Sequence, residues 1–125
     1  MENYPKLDPE FKAKWVAALR SSKYEKGFGE LYDKENKSYC CLGVAGRISG
    51  ISTSSLKGHS MLCDDAGGRS FKKETLAKVP KMLTGETILT LGLANMNDAN
   101  DNSEFNPEGK EFTFPEIADW IEKHL

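Results

Sequence analysis

The chain reads as a single α+β domain, with amphipathic N- and C-terminal helices packed on a small antiparallel sheet. Three observations predict this. Apolar residues recur at helical spacing near both ends behind recognisable caps, and 29–41 has the pattern of a β-hairpin. The 125 residues are 38% hydrophobic and 10% aromatic, enough apolar material for one core. One domain, 1–125, is therefore expected, with a variable loop region at 51–70 and a polar loop at 97–111.

The first helix is expected over 9–22. Asp8 is a good N-cap, and Pro9 in the first helical position has its φ already set. Phe11, Trp15, Val16, Ala18 and Leu19 form one face, while Lys12, Lys14 and Arg20 point elsewhere. Arg20, Lys23 and Lys26 lie at the exit, where cations complement the helix dipole, and Gly27 and Gly29 end the run. In the hairpin, Leu31 and Tyr32 lead into the polar turn 33–37, and Ser38-Tyr39-Cys40 returns. The small, apolar run 41–50 fits a closely packed helix, with Gly50 as its stop. Residues 51–70 carry turn chemistry around the apolar island Met61-Leu62-Cys63. Two helical pieces are expected over 72–95, punctuated by Pro80, the second spanning about 84–95. The Asn- and Asp-rich 97–110 reads as a loop. Thr113 and Glu116 have capping-box spacing, and Phe114, Ile117, Ala118, Ile121 and Leu125 continue as a helical stripe over 114–124.

Charge and cysteine content narrow the function. With 17 basic and 19 acidic side chains the net charge is −2, which argues against a basic nucleic-acid clamp, so no direct nucleic-acid binding is expected. No run approaches the roughly 20 apolar residues of a membrane span, and the N-terminus has no apolar leader. Three cysteines, Cys40 and Cys41 adjacent, suit a reducing cytoplasm.

Several chemical motifs fail on inspection. Cys40, Cys41, His59 and Cys63 do not offer the two spaced pairs of a structural zinc site, so no metal is expected, and the cysteines read as small core residues. Asp98, Asn100 and Asn102 begin a calcium-loop count that breaks at Ser103 and Gly109. Neither Gly27-Phe28-Gly29 nor Gly67-Gly68-Arg69 matches a phosphate-binding fingerprint. Two polar clusters remain. Arg20 and Lys26 could grip a phosphate while Tyr24 stacks on a base, or they are simply a basic helix exit. Asn95, Asn97 and Asp98 either brace the fold or read a ligand's base and ribose.

Four blocks carry a resemblance. They are Trp15-Val16-Ala17-Ala18-Leu19-Arg20-Ser21 with Tyr24 and Gly27, then Tyr39-Cys40-Cys41-Leu42-Gly43-Val44, Leu93-Ala94-Asn95-Met96-Asn97-Asp98, and Phe114-Pro115-Glu116-Ile117-Ala118-Asp119-Trp120-Ile121-Glu122. In this order they resemble a family of short, uncharacterised proteins encoded by bacteriophages and prophages. The stretch 99–111 departs from that family as an insertion, and Ala45-Gly46 stand where larger residues are expected. The resemblance implies a phage origin and a host-cytoplasm setting, and it supplies no catalytic residues.

The expected function is a non-enzymatic binding protein that counteracts host antiviral defence by sequestering a small nucleotide-derived, phosphate-bearing signal. Its expected ligand-binding residues are Arg20, Tyr24, Lys26, Tyr39, Asn95, Asn97 and Asp98, with no cofactor. One alternative is a protein–protein inhibitor of a host defence enzyme. It would dock through the acidic loop 98–111, flanked by Phe105 and Phe112, or use that loop as a nucleic-acid mimic. A small hydrolase acting on a nucleotide is a second alternative. A homodimer is compatible with each.

Overall fold

Asp8 opens the first helix through its own side chain, which accepts a hydrogen bond from the Phe11 N–H at 3.0 Å. The structure, a computed structural model, describes residues 4–63, 71–100 and 106–125. Helix α1 (Pro9–Arg20) buries Trp15, Val16 and Leu19. It stops two residues short of the expected 9–22 because Ser21 caps it and Ser22 turns left-handed at φ +66°. At the other end of the chain α6 (Phe114–His124) starts with the expected capping box, Thr113 and Glu116 each bonding the other's backbone N–H. It buries Phe114, Ile117, Ala118 and Ile121.

Between them lie strands β1 (Glu25–Lys26), β2 (Tyr32–Asp33) and β3 (Ser38–Tyr39), then α2 (Cys41–Ile48), α3 (Thr53–Leu56), α4 (Lys73–Leu76), a 3-10 turn at Lys81–Leu83 and α5 (Ile88–Asp98). Helix α1 packs along α6 and α2, and α5 packs against α2 and α6. The α+β assignment holds, with terminal amphipathic helices beside a small sheet. The sheet, however, is mixed rather than antiparallel. Its order is β1-β3-β2, with β2 antiparallel and β1 parallel to the central β3. The reason is the excursion between β1 and β2. The chain passes from one sheet edge to the other, where the Leu31 N–H is held by the His59 carbonyl at 2.7 Å, so the return strand enters between them.

Two further differences have local causes. Helix α5 begins at Ile88 rather than near 84, because Gly85 is left-handed at φ +80° and Thr87 forms a reciprocal cap with Thr90. It continues through Asn97 and Asp98, residues that composition assigned to a loop, and ends where Ala99 turns left-handed at φ +61°. The apolar residues of this helix do not all face inward, since Ile88 is 69% and Leu91 43% exposed.

Helix α2 is the centre of the core, with Leu42, Val44 and Ala45 fully buried. Both flanking helices meet its first turn, α1 through a side chain and α5 through its backbone. The Trp15 indole N–H donates to the Cys41 carbonyl at 3.1 Å, and the Cys41 thiol approaches the Leu93 carbonyl at 3.7 Å. Gly43 permits the closest approach, because a Cβ there would lie 1.9 Å from the Leu31 carbonyl oxygen. Gly43→Ala must therefore push α2 off the β2 entry, and we expect a loss of about 3 kcal/mol in denaturant unfolding, at the upper end of overpacking effects.

The outer seam of α1 and α6 is ionic. The Arg20 guanidinium binds Asp119 at 2.5 Å and Glu122 at 2.9 Å, and the Lys12 ammonium donates to the Glu122 carbonyl at 3.1 Å. The Arg20 hydrogen bond holds the Glu122 carboxyl below its ordinary value of 4.5. A depressed carboxyl contributes stability above its unfolded pKa and loses it as pH falls through the folded value. Urea midpoints should thus decline as pH drops below 4.5, and Arg20→Gln should make that decline shallower.

Candidate functional site

Asn97, in the last turn of α5, is fully buried and joins three segments. Its Oδ1 accepts from the Cys41 N–H at 3.1 Å, and its Nδ2 donates to the Gly27 carbonyl and to Asp98 Oδ1, both at 2.9 Å. Asp98 Oδ1 in turn accepts from the Gly29 N–H at 3.0 Å. Cys40, the N-cap of α2, offers no side-chain cap, so the Asn97 amide supplies from another helix the acceptor that this N-terminus lacks. The second polar cluster therefore touches the backbone just after the first, at Gly27 and Gly29. Asn95 is half-buried, and its carbonyl accepts from the Ala99 and Asn100 N–H groups at the helix end.

Arg20 and Lys26 both line a cleft of about 420 Å³ with Tyr24, Glu111 and Thr113. Each already has a carboxylate. Arg20 is held by Asp119 and Glu122, and Lys26 by Glu111 at 3.1 Å, with its ammonium also 4.0 Å from the Phe28 ring centroid. The pair closes seams between the first and last thirds of the chain.

Tyr24 and Tyr39 meet edge to face at 5.1 Å, and Tyr32 continues the row at 4.9 Å from Tyr39. This aromatic row crosses the sheet, and all three rings are half-buried. Burial pushes the Tyr39 phenol up, opposed by the Arg47 guanidinium beside it.

At the Tyr32 end lies a groove of about 310 Å³ that the sequence did not reveal, lined by Tyr32, Lys34, Lys37, Thr53, Ser54 and Lys57. The β2–β3 turn supplies Lys34 and Lys37, and a single parallel bridge between Tyr32 and Lys57 brings in the segment after α3. None of the three lysines forms an ion pair among the described residues, in contrast with Arg20, Lys26 and Lys110. Of the two carboxylates flanking Lys34 in sequence, Asp33 and Glu35, that of Asp33 is occupied by the Glu35 N–H at 3.0 Å and the Asn36 amide at 2.8 Å. What the residues offer is cationic, hydroxyl-bearing and flanked by an aromatic face, a set suited to a phosphate ester.

The other expectations fall elsewhere. Cys40 and Cys41 are buried among apolar side chains, which pushes the Cys40 thiol up to about 11 and the Cys41 thiol up as well. Among the described residues no group of three or more His, Cys, Asp or Glu is arranged to hold a metal ion. Gly67, Gly68, Arg69, Asn102, Ser103 and Phe105 lie outside the described residues. The far end of the acidic loop is laced by buried Asn106, which accepts from the Lys110 N–H at 3.0 Å and donates to the Lys110 carbonyl at 2.8 Å. Phe112 is half-buried, its N–H on the Met96 carbonyl at 3.2 Å. Among the described residues no helix is long and apolar enough to cross a membrane.

Residues 7–54 match a protein family described as a domain of unknown function (DUF8296). The matched region contains α1, the sheet, α2 and the tyrosine row, and stops before Lys57 and α5. No curated protein and no solved structure matches the chain.

The Asn97 brace is directly testable. Asn97→Ala strands the buried Cys41 N–H and Gly27 carbonyl, so denaturant unfolding should show a loss of about 3 kcal/mol. Asn97→Asp keeps the acceptor for Cys41 but buries a charge facing the Gly27 carbonyl, and should be no better.

Proposed function

We propose that this chain is a non-enzymatic binding protein of phage type that acts in the host cytoplasm. It counteracts antiviral defence by sequestering a small, phosphate-bearing, nucleotide-derived signal. The observation that carries the reading is the Tyr32 groove, lined by Lys34, Lys37 and Lys57, none of which forms an ion pair among the described residues. An anion seated in this groove would have three lysines along its walls from which to take charge-assisted hydrogen bonds. Thr53 and Ser54 add hydroxyls, and Tyr32 offers a ring for stacking.

The proposal moves the phosphate grip away from Arg20 and Lys26, whose charges are already met within the fold. Tyr39 and Tyr24 keep a supporting part, continuing the row of ring contacts behind Tyr32. Sequestration needs donors and an aromatic platform but no nucleophile. The phage setting rests on the resemblance of the four sequence blocks.

The test is thermal unfolding against cyclic nucleotides and ADP-ribose derivatives. A ligand at 100 times its Kd stabilises the fold by about 2.7 kcal/mol, which should raise Tm by about 10 °C here. We expect Lys34→Gln, Lys37→Gln and Lys57→Gln each to weaken the responding ligand about tenfold, the worth of one charged hydrogen bond, with Lys14→Gln on α1 as a neutral control. Added salt should weaken binding in parallel. Absence of a response across the panel, or equal effects of the groove and control variants, would overturn the reading in favour of a protein partner.

A further inference from the structure

A second groove, of about 750 Å³, runs along Glu25, Lys26, Gly27, Phe28, Asp33, Asn36, Lys37 and Ser38. Its volume lies within the roughly 300–1,000 Å³ of small-molecule sites. Ser38 on its wall is only 4% exposed, yet its hydroxyl makes no hydrogen bond with any described residue. Among the described residues no solvent-sealed side-chain oxygen lacks a partner, so this hydroxyl is reached by solvent. It has the groove as its outlet.

Gly27 keeps that outlet open. Its φ does not lie in the left-handed region, so its backbone does not require glycine. Its N–H is on the Tyr39 carbonyl at 2.6 Å and its carbonyl on the Asn97 amide at 2.9 Å, which fixes it in place. A Cβ at this position would lie 2.3 Å from the Ser38 hydroxyl oxygen and would cover it.

The rest of the lining says what chemistry fits. Glu25 and Asp33 bring two carboxylates, Lys26 and Lys37 two ammonium groups, so the net charge is near zero. The Asn36 amide oxygen takes no hydrogen bond from any described residue, because only its Nδ2 is engaged, with Asp33. Phe28 leaves 54% of its surface exposed. Acceptors that want hydroxyl protons, a hydroxyl at the base and a flat apolar ring suit a neutral polyhydroxyl group joined to an aromatic ring.

We infer that this groove is a nucleoside subsite: ribose hydroxyls meet the Ser38 hydroxyl and the Asn36 amide oxygen, and the base lies against Phe28. It uses different residues from the phosphate groove apart from Lys37, which lines both, and it stands whether or not the phosphate reading does.

Adenosine, which carries no phosphate, is the probe. Titrated into the ¹⁵N-labelled full chain, it should shift the Gly27, Phe28, Asn36 and Ser38 amides along one saturable curve. Ser38→Ala removes no protein hydrogen bond, so its Tm should equal the wild type while adenosine affinity falls about fivefold or more, the loss of one hydrogen bond. Deoxyadenosine, lacking the 2′-hydroxyl, should bind more weakly than adenosine. The inference is overturned if adenosine gives no saturable shift at these amides. It is equally overturned if Ser38→Ala binds adenosine as the wild type does, or if that variant loses thermal stability, which would make the hydroxyl structural.

Discussion

The side-chain amide of Asn97 is the contact on which the arrangement of the remaining segments depends. It supplies an acceptor to the start of α2, a donor to the Gly27 carbonyl and a donor to Asp98, and it does so while fully buried. A buried amide in a low-dielectric setting is favourable only when its donors and acceptor are matched, and then it specifies one geometry strongly. Here that geometry sets the Gly27–Gly29 stretch against the end of α5 and so fixes where β1 meets β3. Both grooves are built on that sheet, and their walls are only as well placed as this brace.

Two glycines work with the brace by allowing backbones and side chains to approach where any Cβ would intrude. Gly43 lets α2 lie against the Leu31 carbonyl, and Gly27 lets β1 lie against Ser38. Neither has a positive φ, so both are present for room rather than for turn geometry. The Tyr39-Cys40-Cys41-Leu42-Gly43-Val44 block thereby acquires a physical account. Tyr39 completes the aromatic row, Cys41 presents its N–H to Asn97, Leu42 and Val44 fill the core, and Gly43 permits the close approach. No part of that account requires a reactive thiol.

Helices α1 and α6 were legible in the sequence because their determinants are local: Asp8 and Pro9 at one start, Thr113 and Glu116 at the other, each followed by a regular apolar stripe. The hairpin was legible for the same reason. Strand direction was not, since a two-residue β1 has no pattern of its own and is aligned by distant anchors at His59 and Asp98. The candidate site was misread on similar grounds. Arg20 looks like a free cation until its partners, Asp119 and Glu122, are brought beside it from the other end of the chain. Asn97 looks like a loop residue until Ala99, not Asn97, takes the left-handed turn. Lys57 has no local motif at all and joins Lys34 and Lys37 only through its bridge to Tyr32.

The distribution of charge is then more informative than its sum. A chain of net charge −2 has acids enough for every base. Yet its described ion pairs join Arg20 to α6, Lys26 to Glu111 and Lys110 to Glu116, while the lysines around Tyr32 form none. Exposed ion pairs add little stability singly, so pairing alone would not single out these positions. Position does, because a strand bridge and a tight turn place all three along one groove beside Tyr32. Asp33 lies next to the cluster in sequence, but its carboxylate is turned into the backbone and amide of its own turn, and Lys37 holds a left-handed φ of +53°. The fold thus places three lysines that form no ion pair among the described residues beside an aromatic ring, in a chain that is acidic as a whole.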